Sequence, residues 1–335
     1  MGNKYIRLFA CCLIVKGNRR ATLVDLQRGD FIFLPLQIAE LLLQSNSVTV
    51  AQLTSAYSEE DAGEISKYFD HLIKNEYAFY TDEPESFPLL CLDWKTPNHI
   101  TNAIIDYDRN SFFNIRDVVN QLEQLGCATI QFRFYDAFDF SFLMQTLTHV
   151  ADGIGKIRSI ELSLCYNPLI SKLQYLKLIN LFPRVISVVI HSAPDGYDYK
   201  FPGSIHELRY IQQKITNETH CGFISPEYFR ANKYFFTESL QFNSCLNRKI
   251  AVDKTGDIKN CPAMKHSFGS VFSTSLLEIS HQPDFQKVWS MNKDKIEVCK
   301  DCEFRYMCTD CRAFIPDEYS KPAKCKYDPY TMSWA

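Results

Sequence analysis

Seven of the thirteen cysteines lie between Cys245 and Cys325: Cys245, Cys261, Cys299, Cys302, Cys308, Cys311 and Cys325. Their spacing reads C-x10-G-x4-C, then C-x2-C-x5-C-x2-C, then a last cysteine. In a C-x2-C pair, two thiolates one turn apart can face a single metal centre. Gly256 stands between two short runs, Lys249–Val252 and Asp257–Asn260, and suits a turn residue at positive φ. The resulting hairpin folds Cys245 and Cys261 towards each other.

Three chemistries are open to such a set. Disulfides need an oxidising compartment, and the N-terminus lacks the charged, apolar and cleavable arrangement of a secretion signal. Zinc suits two C-x2-C pairs separated by a loop, but a four-thiol site leaves three cysteines over. Iron–sulfur centres tolerate a substitute ligand or an open iron, and the spacing favours them.

The pattern resembles that of the SPASM domain of peptide-modifying radical SAM enzymes, C-x(9–15)-G-x4-C, C-x2-C-x5-C-x3-C, C. Here the spacing from Cys308 to Cys311 is one residue shorter. The string Cys302-Glu303-Phe304-Arg305-Tyr306-Met307-Cys308-Thr309-Asp310-Cys311-Arg312 is similar to the CEFRYxCxxCR of stand-alone SPASM proteins in grasp-with-spasm systems. Those proteins are encoded beside an ATP-grasp ligase and a small precursor peptide. The resemblance implies one [4Fe–4S] cluster on Cys299, Cys302, Cys308 and Cys325. It implies a second on Cys245, Cys261 and Cys311. The family often adds a cysteine shortly before the first of these, but positions 239–243 hold none and Cys221 is the nearest upstream thiol, so this cluster either borrows Cys221, keeps an open site or is absent.

Upstream elements must carry this domain. Tyr5–Lys16 is rich in β-formers, and Gly17-Asn18 precedes a second run, Arg20–Leu26, as in a hairpin. Asp30–Leu34 is a third short strand. Pro35 opens a helix over 36–43, and Thr49 with Gln52 forms a capping-box pair for another. Ser58 starts a third helix, in which Ile65, Phe69, Leu72 and Ile73 recur at helical spacing. Glu76–Tyr80 returns as a strand. This winged-helix-like order resembles the PqqD-type module that holds the leader of a precursor peptide. The resemblance implies that a leader adds a strand beside Asp30–Leu34, near Phe31 and Phe33, and meets a helix face with Tyr68 and Leu72.

From Ile100 the rhythm is strand–helix–strand. Ile100–Asp106, Thr129–Tyr135, Ile157–Cys165 and Val185–His191 read as strands, with helices over 115–125, 142–151 and 171–181. Repeated βα units predict a parallel sheet and a partial β/α barrel. Radical SAM barrels carry C-x3-C-x2-C after the first strand; here Tyr107–Phe113 stands there without a cysteine. Three thiolates are needed to hold the cluster that binds S-adenosylmethionine, so the middle reads as a degenerate barrel kept as scaffold. His149 and His191 read as structural residues, and Trp289 as apolar cover for a metal centre.

The expected fold is therefore α/β: a PqqD-like module over 1–83, a degenerate radical-SAM-like partial barrel over 84–240 and a SPASM domain over 241–335. Net charge is −3, which offers no basic surface to nucleic acid or anionic membrane. The apolar run Phe9–Val15 is too short to span a bilayer. Abundant thiols without a signal point to a reducing, cytoplasmic setting. The resemblance implies an accessory peptide maturase that binds a precursor leader, holds one or two [4Fe–4S] clusters and acts with an ATP-grasp ligase. The alternatives are an electron-transfer protein and a zinc-binding scaffold.

Overall fold

The computed structural model describes residues 4–45 and 47–335. The N-terminal run breaks after four residues. Cys12 N–H closes a turn on the Phe9 carbonyl, separating β1 (Tyr5–Leu8) from β2 (Cys12–Lys16). β2, β3 (Ala21–Asp25) and β4 (Asp30–Leu34) form an antiparallel sheet. Three helices follow: α1 (Leu36–Gln44), α2 (Val50–Thr54) and α3 (Glu59–Lys74). Thr49 and Gln52 form the capping box of α2, and Ser58 accepts the Asp61 N–H to start α3. β5 (Ala78–Thr81) then returns to pair with β1.

Strand alternation sends Ala21 and Leu23 into the helical layer, where Leu34, Leu42, Phe69 and Leu72 meet them. Thr22 and Val24 point the other way, and every residue of β3 is buried. The second face of this sheet is covered by the C-terminal region: Val15, Val24 and Leu26 pack with Phe236, Phe304, Met307 and Tyr327.

After an irregular segment come β6 (Asn102–Tyr107), α4 (Ile115–Gln124), β7 (Thr129–Phe134), α5 (Phe140–Asp152), β8 (Ser159–Cys165), α6 (Lys172–Leu181) and β9 (Val185–His191). A hairpin, β10 (Tyr197–Lys200) and β11 (Glu207–Tyr210), precedes α7 (Lys233–Gln241). Then follow β12 (Lys249–Val252), β13 (Asp257–Lys259), β14 (Gly269–Ser270), α8 (Leu276–Ser280), α9 (Pro283–Gln286), β15 (Tyr327–Asp328) and β16 (Ser333–Trp334).

The large sheet has the order β10-β11-β9-β8-β7-β6-β12-β13-β14, parallel from β11 through β12. Its two end strands do not pair with each other among the described residues. The protein is thus a mixed α/β fold with a large parallel-rich sheet. One sheet face buries Ile105, Phe132, Phe134, Leu162 and Ile190 against Val118, Leu122, Leu147 and Leu178 of the helices. Each such side chain contributes roughly 1.5–3 kcal/mol on burial. The opposite face carries polar residues, among them Asp106, Gln131, Arg133 and Glu161.

The hairpin expected within a separate C-terminal domain joins this sheet instead. β12 pairs in parallel with β6, Lys249 opposite Asn102 and Val252 opposite Ile105. Hydrogen bonding therefore ties the two sides of the boundary expected at 240. Trp289 also differs from expectation, since it packs with Phe285 and His99 in the large-sheet core rather than over a metal centre. His191 is fully buried, with Nε2 3.0 Å from the Phe134 carbonyl to which it donates, and His149 Nε2 meets Asn120 Oδ1 at 2.8 Å. No described helix is long and apolar enough to cross a membrane.

Candidate metal centres

The C-terminal thiols fall into two sets of four. The first comprises Cys221, Cys245, Cys261 and Cys311. Cys221, Cys245 and Cys261 lie close enough to act on one another's charge, and Cys311 faces both Cys245 and Cys221. Cys245 leaves a loop in which Asn243 Oδ1 accepts the N–H groups of Cys245 and Leu246. Cys261 follows β13, and Gly256, at φ +89°, makes the tight turn that brings it back. Cys221 comes from a segment the spacing argument left loose. Its neighbour Gly222 has φ +86°, and a Cβ there would lie 2.9 Å from Cys311 Sγ. Only glycine gives both that backbone and that approach.

The second set comprises Cys299, Cys302, Cys308 and Cys325, which line one cavity of about 20 Å³ with Ile224, Phe229, Phe304 and Tyr327. Val298 precedes Cys299 at φ +65°, an uncommon backbone for a β-branched residue. Cys325 is held by a bridge to Ile224. Cys308 and Cys311, two residues apart in the motif, point to different sets. The buried Asp310 between them fixes the divergence, accepting from Asn243 Nδ2 at 2.9 Å and pairing with Arg312 at 2.7 Å.

Each set lies against an ammonium group, buried in Lys293 and half-buried in Lys249. Lys293 Nζ lies 2.9 Å from Cys308 Sγ and 3.2 Å from the Thr309 carbonyl, with 4% of the residue exposed. Lys249 Nζ lies 3.6 Å from Cys245 Sγ. Burial opposes the charge of both lysines, but the neighbouring thiols outweigh it and raise both pKa values. Burial raises the thiols of Cys299, to about 12, and of Cys308. Cys221 moves the other way, to about 6, chiefly through the neighbouring Cys261 thiol, with Arg133 and Lys324 acting in the same direction. Arg133 itself is held by a buried bidentate pair with Asp106, at 2.6 and 2.8 Å.

These dimensions bear on which metal would fit. Zinc bound at about 2.3 Å by four thiolates needs sulfurs about 3.8 Å apart. Among the described residues the one group of three donor atoms within 4.8 Å of each other is Cys11, Cys12 and Asp25, outside both sets. There Asp25 already accepts the Gln27 and Arg28 N–H groups and closes a turn. The two C-terminal sets are wider than a zinc site, and their all-thiol donors and facing ammonium groups suit a polynuclear iron–sulfur centre. All thirteen cysteines are free thiols, in keeping with neither set being disulfide-linked.

The residues between the motif cysteines join this region to the N-terminal module. Glu303 Oε1 accepts from Arg20 Nε and Tyr327 OH, each at 2.6 Å, and the Glu303 carbonyl accepts from Thr22 Oγ1 at 2.8 Å. Phe304 stacks edgewise on Phe31 and Phe33. Arg305 donates to the Lys16 carbonyl at 2.6 Å, and Asn18 N–H to the Asp301 carbonyl at 2.8 Å. Phe31 and Phe33, expected at a leader site, therefore face the thiol-rich region. Leu72 is fully buried in the module core and, as placed, presents no side chain to a peptide; Tyr68 is half-buried there.

Residues 244–303 match the SPASM iron–sulfur cluster-binding domain. That stretch contains Cys245, Cys261, Cys299 and Cys302. No curated protein matches the chain. Among solved structures, Streptococcus suis SuiB bound to S-adenosylmethionine is 12% identical, with 95% of this chain and 98% of that one covered and a TM-score of 0.36. SuiB bound to precursor peptide SuiA is 10% identical over 95% and 98%, with a TM-score of 0.29. At these scores the likeness decides neither fold nor function.

Spacing alone missed two participants, both lysines, and named Cys221 only as a possible ligand. Lys249 and Lys293 carry no sequence mark separating them from solvated lysines, and Lys287 nearby is indeed exposed. Cys221 was the nearest upstream thiol, and Gly222 beside it was the available signal.

Proposed function

We propose that this protein is an iron–sulfur accessory maturase of a ribosomally made peptide. Residues 1–83 bind the precursor's leader, and the two thiol sets each hold a [4Fe–4S] cluster through Cys221, Cys245, Cys261 and Cys311 and through Cys299, Cys302, Cys308 and Cys325. An ATP-grasp ligase acts with it in the cytoplasm and closes side-chain ester or amide links. The observation that carries this reading is the pair of four-thiol nests, each facing a lysine ammonium, Lys249 in the first and the buried Lys293 in the second. The leader-binding and ligase roles rest on the resemblance of the 302–312 string and of the N-terminal module. Radical chemistry is not assigned, because no thiol stands in the loop after β6.

Anaerobic purification with iron and sulfide counts tests the metal reading. About eight irons per chain are expected for two filled sites, and a colourless, iron-free sample ends it. Coexpression of a neighbouring ligase and precursor, with and without this protein, tests the pathway reading. Equal macrocycle yield and equal ligase recovery in both would remove it. A redox role without a ligase is the second reading, favoured by the cations against Cys245 and Cys308, since charge near cluster sulfurs sets potential. Turnover with a reductase and no ATP would establish it.

A further inference from the structure

We propose that a cavity at the amino-terminal ends of β6, β7, β8 and β9 binds an acidic amino acid, free or as the first residue of a peptide. The cavity has a volume of about 720 Å³ and is closed on one side by α7. Small-molecule sites span roughly 300–1,000 Å³. The cavity lies on the polar face of the large sheet, where strand alternation places Thr129, Gln131, Ser159 and Glu161. Those four side chains pair with one another: Thr129 Oγ1 meets Ser159 Oγ at 2.8 Å, and Gln131 Nε2 donates to Glu161 Oε2 at 2.9 Å. Three other charged groups on the wall have no counter-ion. Arg158, just before β8, and Arg230, just before α7, carry guanidinium groups with no carboxylate or carbonyl partner among the described residues. Glu238 of α7 is 8% exposed, and its Oε1 accepts from Asn247 Nδ2 at 2.8 Å. No lysine or arginine lies within ion-pair distance of it among the described residues. A buried carboxyl without a cation is unfavourable by itself, and one in a cleft marks a binding position.

These three groups define the ligand by its charges. Each free guanidinium can hold a carboxylate through two parallel hydrogen bonds. The buried Glu238 carboxyl suits an ammonium, which supplies the cation that the fold omits. Two carboxylates and one ammonium on a small frame make an acidic amino acid. The first residue of a peptide, if aspartate or glutamate, keeps the ammonium and one of the carboxylates. Inorganic phosphate would satisfy the arginines but be repelled by Glu238, and a basic amino acid would meet the arginines with like charge. Cys245 and Lys249 also line the cavity, so the occupant lies beside the first thiol set. The second set, enclosed in about 20 Å³, has no comparable space. Binding here requires neither a leader nor a ligase.

Isothermal titration calorimetry on full-length, anaerobically reconstituted protein tests the site with four probes: L-glutamate, L-lysine, inorganic phosphate and the tetrapeptide amide Glu-Ala-Ala-Ala. L-Glutamate should bind at a single saturable site, with L-lysine and phosphate about tenfold weaker or more. A tetrapeptide that binds more tightly than L-glutamate would name a peptide terminus as the source, and a weaker one the free amino acid. Arg158→Gln and Arg230→Gln should each weaken L-glutamate binding about tenfold, the loss of one charge-assisted contact. Glu238→Gln, which keeps the shape and removes the charge, should do the same. Arg209→Gln, outside the cavity and paired with Asp198, should leave the affinity unchanged. Both cavity arginines are exposed, so if Glu238→Gln fails to fold, their variants decide. No heat with L-glutamate or the tetrapeptide would overturn the proposal. So would phosphate or L-lysine binding as tightly as L-glutamate, or wild-type affinity in both arginine variants. Iron content and macrocycle yield enter none of these outcomes, so this site and the maturase reading fail separately.

Discussion

Replacing Arg20 by Met tests whether the N-terminal module is clamped to the thiol-rich region. Glu303 has 1% of its side chain exposed, and its Oε1 is held by Arg20 and Tyr327 alone. Removing one partner of a fully buried pair costs about 3–5 kcal/mol. Arg20 keeps 24% of its side-chain exposure, and Tyr327 would still donate to the carboxylate, so we expect about 2 kcal/mol. The loss of the cation above Phe33 acts in the same direction. Hydrogen exchange on the intact holoprotein reads the effect locally, because the Asn18 N–H bonds to Asp301 across the same interface. A 2 kcal/mol loss corresponds to about a thirtyfold faster exchange at Asn18 and across 302–306. The double variant with Glu303→Gln should exchange little faster than either single variant, since the pair acts as a unit. Exchange within twofold of wild type at both segments would refute the clamp.

Cys221→Ser should lower iron content by about half while Cys91→Ser, at an exposed thiol, leaves it unchanged; unchanged iron in the first would exclude Cys221 as a ligand. Gly222→Ala should cost about 1–3 kcal/mol and loosen the first set, because φ is +86° and the new Cβ meets Cys311 Sγ; an unaltered melting temperature and iron count would contradict this. Burial raises the Glu238 carboxyl to about 7 against a hydrogen bond from Asn247. An acid raised in the folded state binds more protons folded than unfolded, so stability falls as pH rises from the ordinary carboxylate range through about 7. The span is worth about 3 kcal/mol, and Glu238→Gln should flatten that part of a melting-temperature profile between pH 5 and 8.

Local signals were legible where the chain's own neighbours determine structure. Thr49 with Gln52 and Ser58 with Asp61 marked helix starts correctly, because a cap is a contact within one turn. The strands at 129–134 and 159–165 followed their apolar alternation, and that at 185–191 its largely apolar run. The break at Phe9–Cys11 was missed because β-propensity runs unbroken through it. The turn there depends on β1 pairing with β5 some seventy residues later.

Cysteine spacing by itself determined that a thiol-rich region exists near the carboxyl end, since ligand intervals survive without any knowledge of the rest. That Cys308 and Cys311 part company was implied only by the resemblance and not by spacing, and in the fold it depends on Asp310 being gripped by Asn243 and Arg312. Nor could spacing set Lys249 against a thiol or assign Lys293 to the interior, because a lysine is buried only when the folded chain supplies a partner for its charge. The docking of β3 and β4 onto Glu303 and Phe304 joins residues nearly three hundred positions apart. Contacts of that separation leave no periodic trace in a single chain, so only the tertiary fold decided them.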